Sequence, residues 1–156
     1  MPRVFVYGAL MIRPDVLAHG ERASVADHAV RFTMGGVRVL EPSFAALEDA
    51  PGETAWGVVV DFDEARWRRL RRQELTYVER AVTAKTSRED RVPCIALFAH
   101  KIFRRAERPP SARYAGMLLA GAEHHRLPSE VVERYRALAE NGTRWSLRLQ
   151  RALSRR

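Results

Sequence analysis

The apolar positions of this chain follow two rhythms. Over roughly its first two thirds they come in short runs rich in β-branched and aromatic residues, separated by turn signals. RVFVY (3–7) reads as a strand. The chain from Ala23 to Leu40 is strand-like, with a break at Gly35-Gly36. SFAALEDAPGE (43–53) holds a short apolar run and then a turn at Pro51-Gly52. TAWGVVVDF (54–62) is a strong strand, and Gly57 within it implies a bulge or a close backbone approach. TYVERAVTAKT (76–86) and VPCIALFAHK (92–101) read as two more strands, joined by the charged turn Ser87 to Arg91.

The second rhythm is helical. Pro14 and Asp15 open a short helical turn through Leu17 and Ala18. DEARWRRLRRQE (63–74) is the clearest helix, with Asp63 as N-cap and Glu64 in the first turn. After Pro109-Pro110 the character changes. SARYAGMLLAGAEH (111–124) is helical with Ser111 as its cap, and PSEVVERYRALAEN (128–141) opens on Pro128 and stops at Gly142. A β-rich body followed by helices is α+β. With only one convincing helix between strands, the sheet is expected to be antiparallel. The organisation predicted is one domain over residues 1–140 and a basic tail over 141–156.

Two stretches break the usual rules. In VFVYGALM (4–11) a strand stops at Tyr7-Gly8, yet the chain stays apolar through Ala9, Leu10 and Met11 where a polar turn is the norm. In the helix 64–74, arginines occupy positions 66, 68, 69, 71 and 72, which leaves Trp67, Leu70 and Glu74 on the other face. That face is the one a helix buries. Glu74 therefore continues an apolar stripe, and it does so beside the negative end of the helix dipole. Burial and dipole both raise a carboxyl pKa, which suits a general acid/base at neutral pH. The competing reading is a Glu at a frayed helix end, exposed or paired with Arg80.

Composition narrows the field. At 156 residues and 46% hydrophobic, the chain can bury a real core as one globular domain. No apolar run reaches the ~18 residues of a membrane span, and no secretory cleavage pattern follows Arg3. A single cysteine, Cys94, excludes an internal disulfide and fits a small core residue in a reducing cytoplasm. The net charge of +8 comes from 27 basic residues against 19 acidic ones, and only Lys85 and Lys101 are lysines. Such arginine excess fits a coding bias as well as an acidic partner, and no nucleic-acid motif accompanies it. No nucleic-acid partner is expected.

VFVYGALM, then PGETAWGVVVDF, WRRLRRQE, a tyrosine-bearing strand, RPPSARY and GAEHHRLP occur in an order that resembles the gamma-glutamylcyclotransferase family. That family includes the gamma-glutamylamine cyclotransferases and the AIG2-like proteins. The resemblance covers roughly residues 3–138. It implies a small, mostly antiparallel β-barrel flanked by helices. It also implies a reaction without metal or other cofactor: the α-amine of a γ-glutamyl compound attacks its own γ-carbonyl, giving 5-oxoproline and a free amine or amino acid. Carried over residue by residue, the family's Tyr-Gly-x-Leu loop matches Tyr7, Gly8, Ala9 and Leu10, whose backbone amides would bind substrate. Its catalytic glutamate, in a Leu-x-x-Gln-Glu context, matches Glu74 after Leu70 and Gln73. Tyr114 falls where a family tyrosine lines the pocket and Tyr77 where the family often has a tyrosine just past the glutamate, and the resemblance implies substrate binding by both. Enzymes acting on γ-glutamyl amino acids carry Ser-Asn-Leu after the Tyr-Gly. Here Ala-Leu-Met stands there, and a small residue followed by Leu is closer to the gamma-glutamylamine and AIG2-like branch, whereas PGETAWGVVVDF and the C-terminal motifs resemble the amino-acid-acting enzymes. The alternative to an enzyme is an AIG2-like module that keeps the pocket without turnover.

Two features lie outside that scheme. His124-His125 invites a metal reading, but adjacent histidines on a helix diverge by about 100° and no cysteine or carboxylate cluster has ligand spacing. A solvated helix end is the plainer expectation. In TRWSLRLQRALSRR, Trp145, Leu149 and Leu153 recur at i, i+4 and i+8 among arginines, an amphipathic basic helix. Its stripe would pack on the barrel or on a second subunit. The other reading is an interfacial helix for anionic lipid or an acidic partner.

Overall fold

The computed structural model describes residues 1–35 and 41–153, with side chains described only as far as Asn141. Five strands form a closed barrel in the order β1-β3-β2-β4-β5. They are β1 (Arg3–Val6), β2 (Glu21–Gly35), β3 (Ser43–Asp61), β4 (Tyr77–Thr86) and β5 (Arg91–Ala99). Four α-helices flank it: α1 (Pro14–His19), α2 (Glu64–Gln73), α3 (Ala112–His124) and α4 (Ser129–Leu153). The α+β class and the flanked barrel agree with expectation. All pairings are antiparallel except one: β5 closes the barrel on β1 in parallel, with Val4 opposite Ile95 and Phe5 opposite Ala96. The route from β5 back to the start of the chain is not a local connection, so element order alone does not reveal this pair.

The turn expected at Pro51-Gly52 is instead a bulge inside one long strand. β3 pairs with β2 from Val59 opposite Glu21 to Ser43 opposite Gly35. Between Thr54 and Asp49 it makes an excursion that β2 matches with the single residue Asp27. Asp27 takes a left-handed φ of 58° and Gly52 one of 81°. The Gly52 N–H donates to Asp27 Oδ1 at 2.9 Å, which fixes the excursion. A Pro-Gly pair supplies the same backbone geometry to a bulge as to a turn, and the continued strand pairing decides between them.

Gly57 makes the close approach its position implied. A Cβ there would lie 2.3 Å from the Val6 carbonyl oxygen and 2.9 Å from Phe5 Cζ. The hydrophobic core, built from both faces of the barrel wall, holds Val4, Phe5, Val25, Leu47, Val58, Ala84 and Ala96, all nearly inaccessible. Cys94 belongs to this core, its Sγ 3.7 Å from the Val82 carbonyl oxygen. Burial pushes its thiol pKa up, which keeps it a protonated core residue.

Helix α2 begins as its sequence dictates. Asp63 Oδ1 accepts from the Arg66 N–H at 2.8 Å, and Phe62 packs on Trp67 with ring centroids 5.9 Å apart, a hydrophobic staple across the cap. Trp67 and Leu70 are buried, each contributing about 1.5–3 kcal/mol by leaving water. At the other end of the chain α4 does not stop at Gly142 but continues to Leu153. The basic stretch thus continues a helix that begins at Ser129, and one glycine costs a helix only about 1 kcal/mol. The side chains of Trp145, Leu149 and Leu153 lie outside the described residues. Among the described residues no helix is long and apolar enough to cross a membrane.

Candidate functional site

The barrel opens at one end into a cavity of about 420 Å³. Tyr7, Ala9, Leu10, Glu74, Tyr77 and Tyr114 all line it. These residues come from β1 and the turn after it, the end of α2, the start of β4 and the first turn of α3. Each is brought there by a local device.

The apolar loop after Tyr7 is a 3₁₀ turn over Gly8–Ile12. Gly8 enters it with φ of 75°, a conformation that costs a residue with a Cβ and costs glycine little. The turn splits its apolar residues between two tasks. Met11 is fully buried against Gly121 of α3, while Leu10 faces the cavity. The opening amides of such a turn have no partner within it, the Tyr7 side chain does not cap this one, and the Ala9 N–H is directed at the Tyr114 hydroxyl oxygen.

Tyr114 is placed by the cap of α3. The Tyr114 N–H donates to Ser111 Oγ at 3.1 Å, and Ser111 Oγ donates to Glu41 at 2.7 Å. The Tyr114 hydroxyl then lies over Gly8, 3.2 Å from where a Cβ would stand. It accepts from the Ala45 N–H at 3.1 Å. Among the described residues it donates to no acceptor, so its proton is available to the cavity. Burial pushes its pKa up to about 12. Tyr77 holds the other side of the same β3 residue, donating to the Ala45 carbonyl oxygen at 2.9 Å. Tyr7 donates to the Leu97 carbonyl oxygen. Burial raises the pKa of both hydroxyls as well, so all three remain neutral donors or acceptors at physiological pH.

Glu74 stands one residue past the helix, as the C-cap of α2 rather than in its last turn. Its N–H still donates to the Leu70 carbonyl oxygen at 3.1 Å, so it continues the buried stripe of Trp67 and Leu70. Arg71 clamps the turn: its guanidinium donates to the carbonyl oxygens of Glu74 and Tyr77 at 2.8 and 2.9 Å and to Glu79 at 2.8 Å. The side chain of Glu74 is half-buried, and among the described residues no hydrogen bond or ion pair holds its carboxylate. Arg80, the partner considered from sequence, pairs with Asp49 instead, at 3.0 and 3.2 Å. Burial raises the Glu74 pKa, and the charges of Arg71 and Arg13 oppose that rise.

Some of the wall was not foreseen. Ala45 anchors two tyrosines through its backbone and carries no chemical signal in its side chain; only strand register could have found it. Arg113 also lines the cavity, paired with Glu41 at 2.9 Å, and its place beside Tyr114 in RPPSARY was the available signal. The two histidines contribute nothing to this cavity. His125 is buried, with Nε2 3.0 Å from the Met11 carbonyl oxygen, and exposed His124 reaches the Leu17 carbonyl oxygen at 2.9 Å. They brace the turn and α1 from behind, so the expected solvated helix end is half wrong: the turn packs on α3 and covers His125.

Because the Tyr114 hydroxyl bridges Ala45 to the cavity, Tyr114→Phe should leave the Ala45 N–H unpaired. Stability is expected to fall by about 1–3 kcal/mol in chemical denaturation. A change well below that range would mean the hydroxyl bond is not formed.

Comparisons with known proteins follow the same outline. No curated protein matches the sequence significantly. Among solved structures, one titled gamma-glutamyl cyclotransferase superposes with a TM-score of 0.73 at 22% identity, covering 86% of each chain. An uncharacterized protein from Homo sapiens gives the same values. YkqA from Bacillus subtilis gives a TM-score of 0.75 at 22% identity, covering 89% of this chain and 54% of that one. At such identities the likeness is one of fold. The sequence profile of the AIG2-like family matches residues 54–135, from the second half of β3 through Tyr135 of α4, and the chain belongs to the AIG2-like family.

Proposed function

We propose that this protein is a gamma-glutamylcyclotransferase-type enzyme in which Glu74 is the general acid/base. The observation that carries the proposal is the half-buried Glu74 carboxylate, unpaired among the described residues, on the wall of the cavity that also takes Tyr7, Ala9 and Leu10. A solved structure of the same fold bears the name gamma-glutamyl cyclotransferase, which is consistent with it.

The chemistry needs few parts. The α-ammonium of a γ-glutamyl group is not a nucleophile until it loses a proton, and a carboxylate of raised pKa can take it. The amine nitrogen then attacks the γ-carbonyl carbon, closing a five-membered ring and pushing charge onto the carbonyl oxygen. The amides of the turn after Tyr7 and the Tyr114 hydroxyl, which donates to no other acceptor among the described residues, are the donors assigned to that oxygen. As the tetrahedral intermediate collapses, Glu74 returns its proton to the departing nitrogen and the C–N bond breaks, and the freed carboxylate then takes the second proton that the new ring nitrogen must lose to become the lactam N–H. The products are 5-oxoproline and a free amine or amino acid. Both reacting groups belong to one molecule, so holding it in a curled conformation supplies much of the acceleration. No step calls on a metal or an organic cofactor. A binding module without turnover would have no use for an acid held without a partner in the cavity wall.

The pH profile tests this assignment. The base form of Glu74 is required in the free enzyme, so kcat/KM should rise with pH through a limb lying above the ordinary carboxylate value of 4.5. The direction follows from burial, which disfavours the charged form. A limb at or below that value, with full activity retained in acid, would remove Glu74 from the role.

A further inference from the structure

A second depression lies beside the cavity, between α1 and α2, lined by Arg13, Asp15, His19, Arg66, Arg69 and Gln73. Gln73 belongs to both walls, and it is the residue immediately before Glu74. Its exposed side chain is thus the lip between cavity and groove. The groove is rich in guanidinium groups. Asp15 binds Arg13 at 3.3 Å and lies 3.9 Å from Arg66, which Asp63 also holds at 3.1 Å. Arg13 and Arg66 therefore share the two carboxylates Asp15 and Asp63. Among the described residues no carboxylate pairs with Arg69.

The position of the groove decides which part of a substrate can reach it. On the reading above, Glu74 protonates the departing nitrogen, so the leaving group emerges beside Glu74 and the γ-glutamyl half stays against the turn at Gly8. The groove begins one residue from Glu74. A leaving group longer than a simple alkyl amine therefore runs over Gln73 toward Arg69. A cationic leaving group, such as a diamine or a lysine side chain, would meet like charge there. An anionic one would meet guanidinium groups whose geometry suits a carboxylate.

We infer that the groove between α1 and α2 selects γ-glutamyl compounds whose leaving amine carries carboxylates, with Arg69 as the principal contact. This rests on the cyclotransferase reading and gives it a substrate class: acidic amino acids or peptides as leaving groups, ahead of neutral and cationic amines. Arg13 also acts on the charge of Glu74, so groove and acid are electrically connected.

The test is a matched series: γ-glutamyl-aspartate, γ-glutamyl-alanine, γ-glutamyl-ethylamide and γ-glutamyl-putrescine, with carboxylate number falling and charge rising along it. In kcat/KM for 5-oxoproline release, each added carboxylate is expected to give a gain of about tenfold, and added salt to compress the series. Arg69→Ala should bring the aspartate-to-ethylamide ratio toward one, mainly through KM, and Arg69→Lys should restore part of it. Calorimetric binding of the same compounds to Glu74→Gln protein gives a second readout that does not need turnover. Arginine-dependent tighter binding of the acidic compounds without any 5-oxoproline from the wild type would keep the groove assignment and remove the enzyme. Turnover that ignores carboxylates, or favours putrescine, would keep the enzyme and overturn the groove. No binding and no turnover would overturn both.

Discussion

Replacing Glu74 by glutamine is expected to lower kcat/KM for 5-oxoproline release by about a thousandfold, within the ~10²–10⁴ range of general acid/base catalysis. The amide keeps the shape of the side chain but can neither take a proton from the α-ammonium nor return one to the leaving nitrogen. Folding should survive, because among the described residues no hydrogen bond or ion pair to the carboxylate is lost. Indeed the sign of the stability effect is set by the raised pKa. A carboxyl whose folded-state pKa is raised favours the folded state below its ordinary value of 4.5, and that contribution is lost as pH climbs through the folded value. At neutral pH the wild type therefore holds an ionised, half-buried acid that the amide does not. Glu74→Gln should be no less stable than wild type at pH 7, with any advantage shrinking as pH falls toward 4.5. An inactive protein that is also badly destabilised at pH 7 would make Glu74 a structural residue instead.

Gly57→Ala is expected to be the most damaging single methyl in the barrel. The added carbon would sit 2.3 Å from the Val6 carbonyl oxygen, and that oxygen belongs to backbone that cannot swing aside. β1 pairs with β3 on one edge and β5 on the other, so moving Val6 strains both seams. Overpacking of this kind costs about 3 kcal/mol, or roughly 6–12 °C in the thermal midpoint of a domain this size. The displacement would also travel into Tyr7 and Gly8, the next two residues, so activity should fall further than stability alone explains. Gly116→Ala is the control. Nothing lies within 4 Å of a Cβ there, and the residue is inside α3, where alanine should gain about 0.5–1 kcal/mol. A Gly57→Ala protein that melts within a degree or so of wild type would show that β1 and β3 do not approach as closely as described.

Much of this was legible beforehand wherever short-range rules apply. Asp63 and Ser111 are legible as caps because a side-chain oxygen before an amphipathic run is a local signal, and both accept the expected N–H. Glu74 was legible as an anomaly because helical spacing put an acid in line with Trp67 and Leu70. What failed was long-range. Pro51-Gly52 signals a reversal, but continued pairing with β2 turns it into a bulge, and no neighbour in sequence reports that. Gly142 signals a stop, but the propensity cost of one glycine is small beside what holds the rest of α4. His125 looked solvated because a helix end usually is, until α3 packs it under the turn at Met11. Ala45 shows the limit most plainly. It organises Tyr77 and Tyr114 through its backbone, and a backbone contact between residues so far apart leaves no mark on residue type.

The opening stretch VFVYGALM gains its meaning from that same distance. Its apolar loop is one wall of a cavity whose acid arrives on the far end of a helix, and neither element is a site without the other. The central claim is that the two together close a γ-glutamyl group on itself. The direct measurement is mass-spectrometric detection of 5-oxoproline and released amine, followed in time for wild-type and Glu74→Gln protein across γ-glutamyl amino acids and amines. Equimolar appearance of both products with wild type, and near-complete loss with Glu74→Gln, is the predicted result. Turnover that survives Glu74→Gln, or silence of the wild type across the whole series, would contradict it.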